Sequence, residues 1–211
     1  MKTKKEINEI IRLLEQEYPL AACSLDYAEA WQLLVSVRLA AQCTDARVNQ
    51  VTPALFAAFP NAEAMARATA EQVEPYIRSC GFYHGKARDI VAAAEMLVTR
   101  FGGRVPDTMD ELLALPGVGR KSANLILGDV YHVPGSVVVD THCIRLTNRI
   151  GLVDGVKEPA KIETKLRALL PPDKSNDFCH RMVLHGRAVC TARAPACGRC
   201  CLNALCSRKG V

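Results

Sequence analysis

Four cysteines near one end of the sequence, Cys190, Cys197, Cys200 and Cys206, are spaced C-x6-C-x2-C-x5-C. Thiolate sulfur is a soft ligand, and four thiolates in one short loop can enclose a metal centre. Zinc sites usually draw on two close pairs, and the wider gaps here fit that pattern less well. A cubane [4Fe-4S] cluster with four cysteine ligands fits better, although spacing alone leaves zinc open. Cys201 also allows a second register, C-x3-C-x4-C. Cys23, Cys43, Cys80, Cys143 and Cys179 are scattered and read as small buried hydrophobes.

A second set of reactive groups lies upstream. Leu115-Pro116-Gly117-Val118-Gly119 is a glycine-containing hairpin between two helical patterns, and Lys121 stands two residues beyond it. Gly117 and Gly119 permit positive φ and close backbone approach. The amides of Gly117, Val118 and Gly119 and of the next helix's first turn then point outward together, which suits a phosphate. Beside Arg120 and the positive end of a helix, an amine is more readily neutral and nucleophilic. Asp140 closes an apolar run, Val137–Val139, and is placed to cap the following helix. A fixed, partly desolvated carboxylate can stabilise an oxocarbenium-like sugar or relay a proton. Arg145 and Arg149 follow at one and two helical turns and are candidates for phosphate contacts, as is Arg193 in the cysteine loop. Taken singly, each group has an ordinary alternative: a plain αα-turn, a solvated lysine, a cap, a solvated helix face.

The elements that must position these groups are helical. Ile7, Ile10, Ile11 and Leu14 recur at helical spacing within 3–17, and Trp31, Leu34, Val35 and Leu39 within 28–41. Thr44 or Asp45, Asn61 and Thr69 cap further helices, and residues 81–85 form a loop before a helix over 86–100. Helices follow at 141–150, 157–170 and 175–189, and the remainder is cysteine-rich loop. Val137–Val139 stands alone as a buried extended connector, so the fold class is all-α, with about ten short helices. The 211 residues suffice for one large domain or two small ones. A net charge of +5, with five basic and no acidic residues from Arg187 onward, suggests a polyanionic partner. The N-terminal lysines lead into no apolar segment, so no secretory signal is expected. The expected compartment is the cytoplasm, where clustered cysteines read as ligands rather than disulfides.

Together these pieces resemble the endonuclease III family of DNA glycosylases. The matching stretches are L-P-G-V-G-R-K at 115–121, V-D-T-H at 139–142, L-H-G-R at 184–187, A-A-Q-C-T-D-A-R-V-N at 40–49, and the four-cysteine spacing at 190–206. The resemblance implies two helical lobes. A six-helix domain with a helix-hairpin-helix motif spans 22–134, and a discontinuous domain of 1–21 and 135–211 holds a [4Fe-4S] cluster. It implies that Lys121 is the nucleophile and Asp140 the catalytic carboxylate. The same likeness makes Cys190, Cys197, Cys200 and Cys206 the cluster ligands, favouring Cys200 over Cys201. Gln42 would enter the base stack where a damaged nucleotide leaves it. The implied partner is damaged duplex DNA, bound across the groove between the lobes by a monomer, and the implied activity is removal of oxidised pyrimidines followed by strand cutting. The sequence departs from the family at Leu113, where some members carry an acidic residue, and at Phe82-Tyr83-His84, in a loop that wedges into DNA. An adenine glycosylase of the same superfamily would lack Lys121. A non-catalytic DNA-binding module would need neither Lys121 nor Asp140, and a redox protein would need an exposed cluster.

Overall fold

A computed structural model describes residues 2–211. Among them are eleven α-helices, three short 3-10 turns and no β-strand. The chain divides into two compact units: Cys23–Tyr131, and the residues up to Ala22 together with His132–Val211. No helix among the described residues is long and apolar enough to cross a membrane.

The continuous unit holds α2 (Ala30–Leu39), α3 (Asp45–Ala58), α4 (Ala62–Ala66), α5 (Ala70–Ile77), α6 (Tyr83–Phe101), α7 (Met109–Ala114) and α8 (Arg120–Asp129). The caps explain most starts. Thr44 accepts from the Arg47 amide, Asn61 from Ala64 and Thr108 from Glu111. The long α6 packs against α4 and α5, and α2 against α3 and α8. Leu33, Leu39, Leu55, Met65, Ile77, Leu97, Leu112 and Ile126 form a continuous buried core between them. The start of α6 differs from expectation. It begins at Tyr83 rather than after Gly85, because Phe82 adopts a left-handed conformation (φ 50°, ψ 28°) and turns the chain into the helix. The Lys86 amide then donates to the Phe82 carbonyl at 3.1 Å.

The discontinuous unit holds α1 (Lys4–Glu17), α9 (Thr141–Ile150), α10 (Pro159–Leu169) and α11 (Ser175–Ala188). A reciprocal box opens α1: Glu6 receives the Thr3 amide at 2.8 Å and returns its own amide to the Thr3 hydroxyl. The apolar stripe Ile7, Ile10, Ile11 and Leu14 is buried. Each of these side chains contributes about 2 kcal/mol by area, an upper bound for a compact unfolded reference. Helix α11 packs on α1 and α9. Gly186 lets α9 and α11 approach closely, since a Cβ there would lie 2.5 Å from Nδ1 of His142. Val137, Val138 and Val139 form a buried lead into α9 without regular secondary structure. Residues 190–211 are loop, apart from one turn at Cys197–Arg199.

Candidate active site and thiolate cavity

Helices α7 and α8 are joined by a tight turn in which Val118 N–H donates to the Leu115 carbonyl at 3.2 Å. Gly117 has φ +74°, a conformation that L side chains rarely adopt. A Cβ there would also strike Arg38 at 2.6 Å and Asp89 at 2.9 Å. Those two residues form a salt bridge at 2.6 Å, so the turn is seated on an ion pair joining α2 to α6. Gly119 differs. It is the N-cap residue of α8 at φ −102°, and a Cβ there would meet nothing within 4 Å. The protein's own packing therefore leaves the space over Gly119 clear. Lys121 lies in the first turn of α8 with its residue exposed, while Ala123 to Gly128 behind it are buried. Helix α8 thus has a buried body and an exposed, amide-lined start. Of the three hairpin residues expected at a phosphate, Val118 is the exception. Its amide is engaged within the turn, and its side chain packs on the core.

Asp140 caps α9 by accepting from the Cys143 amide at 2.7 Å. It is half-buried and follows four buried residues, Ser136 to Val139. The cap fixes one carboxylate oxygen and so immobilises the group. Lys121 belongs to the continuous unit and Asp140 to the discontinuous one.

Gln42 follows the C-terminus of α2, is exposed, and has φ 54°. Arg149 does not face solvent as expected, and Arg145 is half-buried. Arg145 reaches from α9 to the carbonyls of Gly186 at 3.0 Å and Cys190 at 2.9 Å. Arg149 is 7% exposed and donates to Thr191 O at 2.7 Å, Ala192 O at 2.9 Å and the Cys190 sulfur at 3.4 Å. Arg149, buried among loop carbonyls, has no free face for a phosphate and braces the cysteine loop; Arg145 is half-buried and donates to the same loop. Arg193 is exposed on that loop.

Cys190, Cys197, Cys200 and Cys206 all line one cavity, together with Pro195, Ala196 and Arg149. Cys201 is not among the lining residues. All ten cysteines are free thiols. Among the described residues no three His, Cys, Asp or Glu side chains converge to hold a single metal ion. Polar hydrogens approach the sulfurs: the Arg208 amide lies 3.4 Å from Cys206 Sγ, and His185 Nε2 lies 3.2 Å from Cys200 Sγ. His185 is 1% exposed, and its Nδ1 lies 3.1 Å from the Tyr18 hydroxyl. Burial lowers its pKa. The tautomer in which Tyr18 donates to Nδ1 leaves Nε2–H to donate to sulfur. Four soft donors around a shared space, with N–H groups aimed at them, fit an iron-sulfur cluster. The sequence alone does not single out His185, because its role depends on Tyr18, 167 residues away.

Comparison with known proteins agrees with this arrangement. A family model described as "HhH-GPD superfamily base excision DNA repair protein" matches residues 35–172. Endonuclease III of Synechocystis sp. is 46% identical over 203 residues, covering 96% of this chain and 92% of that protein. The structure of a non-covalent endonuclease III–DNA complex matches with a TM-score of 0.92 at 37% identity, covering 99% of this chain and 97% of the other. A trapped endonuclease III–DNA covalent intermediate matches with the same TM-score, identity and coverage. With the hairpin, the capped carboxylate and the four-thiol cavity in the order and spacing described, the chain belongs to the endonuclease III family, within the HhH-GPD superfamily of base excision DNA repair proteins.

Proposed function

We propose that this chain is a bifunctional DNA glycosylase and AP lyase that removes oxidised pyrimidines from damaged duplex DNA. The observation that carries the reading is an exposed lysine in the first turn of α8, two residues after Gly119, over which the space is clear. A phosphate beside the lesion is held at Gly117 and Gly119, by backbone amides and the positive helix end, which position the DNA without reading its sequence. Oxidised pyrimidines stack poorly, so extruding one from the duplex costs less than for an intact base. Gln42 occupies the space the lesion leaves, and Arg193 meets the phosphate backbone.

Lys121 Nζ attacks C1′ of the extruded nucleotide. A C–N bond forms, the bond to the base breaks, and the base leaves with its electron pair and takes up a proton. Asp140, held by its cap, stabilises the positive charge that develops on the sugar or relays the proton. Opening of the sugar gives a protonated Schiff base with Lys121, which acidifies the C2′ proton. Loss of that proton expels the 3′ phosphate, so the strand is cut 3′ to the lesion. A covalent enzyme–DNA intermediate, as in the trapped endonuclease III structure, requires a nucleophile on the protein, and Lys121 meets that requirement in this chain.

Cys190, Cys197, Cys200 and Cys206 would hold a [4Fe-4S] cluster, whose contribution would be to cross-link the loop. Arg149, Arg145 and His185 hold the loop from the helices behind it. The reading is tested with a duplex carrying one thymine glycol. Release of the base together with a nick 3′ to the lesion is expected, and binding without either product would refute the enzyme assignment.

A further inference from the structure

The continuous unit contains a buried charge that the proposed chemistry does not use. Lys86, in the first turns of α6, is 1% exposed. Its ammonium donates to the Leu39 carbonyl at 2.8 Å and to the Cys80 carbonyl at 2.8 Å. Leu39 is the last residue of α2, and Cys80 ends the 3-10 turn before α6. Both carbonyls lie at helix ends, which lack intrahelical partners. Burying an ammonium is costly even when it is paired, and a methionine of similar length would fill the space without that cost. The lysine therefore does something an apolar side chain would not. It ties together two backbone segments 41 residues apart, from 39 to 80, through a third point.

Each tied segment ends in an exposed, non-glycine residue with a left-handed backbone. Three residues after Leu39 comes Gln42, with φ 54°; two residues after Cys80 comes Phe82, with φ 50° and 72% exposure. Such conformations persist only where the surroundings enforce them. An exposed aromatic residue would need no explanation by itself, but one held on a left-handed backbone points to a functional constraint.

We propose that Lys86 is a positioning residue for base extrusion: by clamping the Leu39 and Cys80 carbonyls, it sets the placement of Gln42 and Phe82 as the pair that enters the duplex. The proposal rests on the glycosylase reading above. Lys86 touches neither DNA nor the reacting sugar. Its effect belongs to the step that unstacks a base, and is small where no base has to be unstacked.

The test compares two duplexes under single-turnover conditions, one with thymine glycol and one with a preformed abasic site. Lys86→Met should slow excision of the lesion on the order of tenfold or more, as misplacement of a positioning group does. Cleavage at the abasic site should change by less than about threefold. In a Gln42→Ala, Phe82→Ala background, both exposed positions, Lys86→Met should have no further effect on excision. Equal losses on both substrates, no loss on either, or a full additional loss in the double-alanine background would overturn the proposal. Lys86→Gln, whose shorter amide falls short of both carbonyls, carries the same expectations should Lys86→Met not fold. Failure of both variants to fold would assign Lys86 to core stability alone and overturn the proposal. A wild-type protein inert on both duplexes would overturn the glycosylase reading and the proposal with it. With an active wild type, a failed expectation counts against the role of Lys86 alone.

Discussion

Asp140 combines a structural task with a proposed chemical one, and two substitutions separate them. Asn caps a helix about as well as Asp, so Asp140→Asn should leave stability within about 0.5 kcal/mol while excision falls about a hundredfold. Asp140→Ala should lose both, with a stability cost of about 1 kcal/mol. Denaturant unfolding beside single-turnover excision checks this, and an active Asp140→Asn enzyme would reduce the residue to a cap. The cysteines divide in the same way. Cys200→Ser should abolish the visible absorbance of the cluster in purified protein and Cys201→Ser should retain it, because only Cys200 lines the cavity. The reverse pattern would move the ligand set by one position. Residues of this kind were legible in the sequence because their signal is local: four thiols within a short loop, a lysine just past a glycine turn, an aspartate ahead of a helix. The tertiary roles of Lys86, His185 and Arg149 were not. Lys86 ties Cys80, six residues before it, to Leu39, 47 residues before it, and Arg149 finds Ala192 at a separation of 43, so local sequence marks neither as buried. A helical arginine or lysine with unknown tertiary partners reads as solvated, and here that default failed because loop carbonyls needed donors.

At the scale of elements, the two glycines of the hairpin serve different purposes, and alanine should distinguish them. Gly117→Ala places a Cβ in a positive-φ position and against the Arg38–Asp89 pair, so it should destabilise the protein by about 1–3 kcal/mol. Gly119→Ala meets nothing in the protein and should cost no more than about 1 kcal/mol, yet weaken DNA binding about tenfold by occupying the phosphate's place. Thermal unfolding and fluorescence anisotropy measure the two effects, and unchanged affinity for Gly119→Ala would move the phosphate elsewhere. Periodicity located most helices within two or three residues, since caps such as Thr44 and Asn61 act over one turn. It failed at α6. A left-handed Phe82 starting a helix is a conformation that sequence patterns do not announce, and the glycine at 85 suggested a longer loop. That misplaced start lies at one of the two strained residues held by Lys86, which is where local rules are expected to break.

For the whole molecule, the chain leaves the discontinuous unit at Ala22 and returns to it at His132. Helix α1 is therefore part of a unit whose other helices lie more than a hundred residues later, and the Lys174–Glu15 ion pair at 2.8 Å joins the two stretches. Composition and charge gave only the outline of this: an all-α chain with a basic end. The order of the hairpin, the capped aspartate and the cysteine loop gave the family. The central claim is that Lys121 forms a Schiff base with the sugar, and reductive trapping tests it most directly. Wild-type protein and Lys121→Ala are each incubated with a thymine glycol duplex in the presence of borohydride and resolved on a denaturing gel. A stable protein–DNA adduct is predicted for the wild type, and none for Lys121→Ala with its fold and DNA binding intact. Base release by the wild type without an adduct, or an adduct that survives the loss of Lys121, would contradict the assignment.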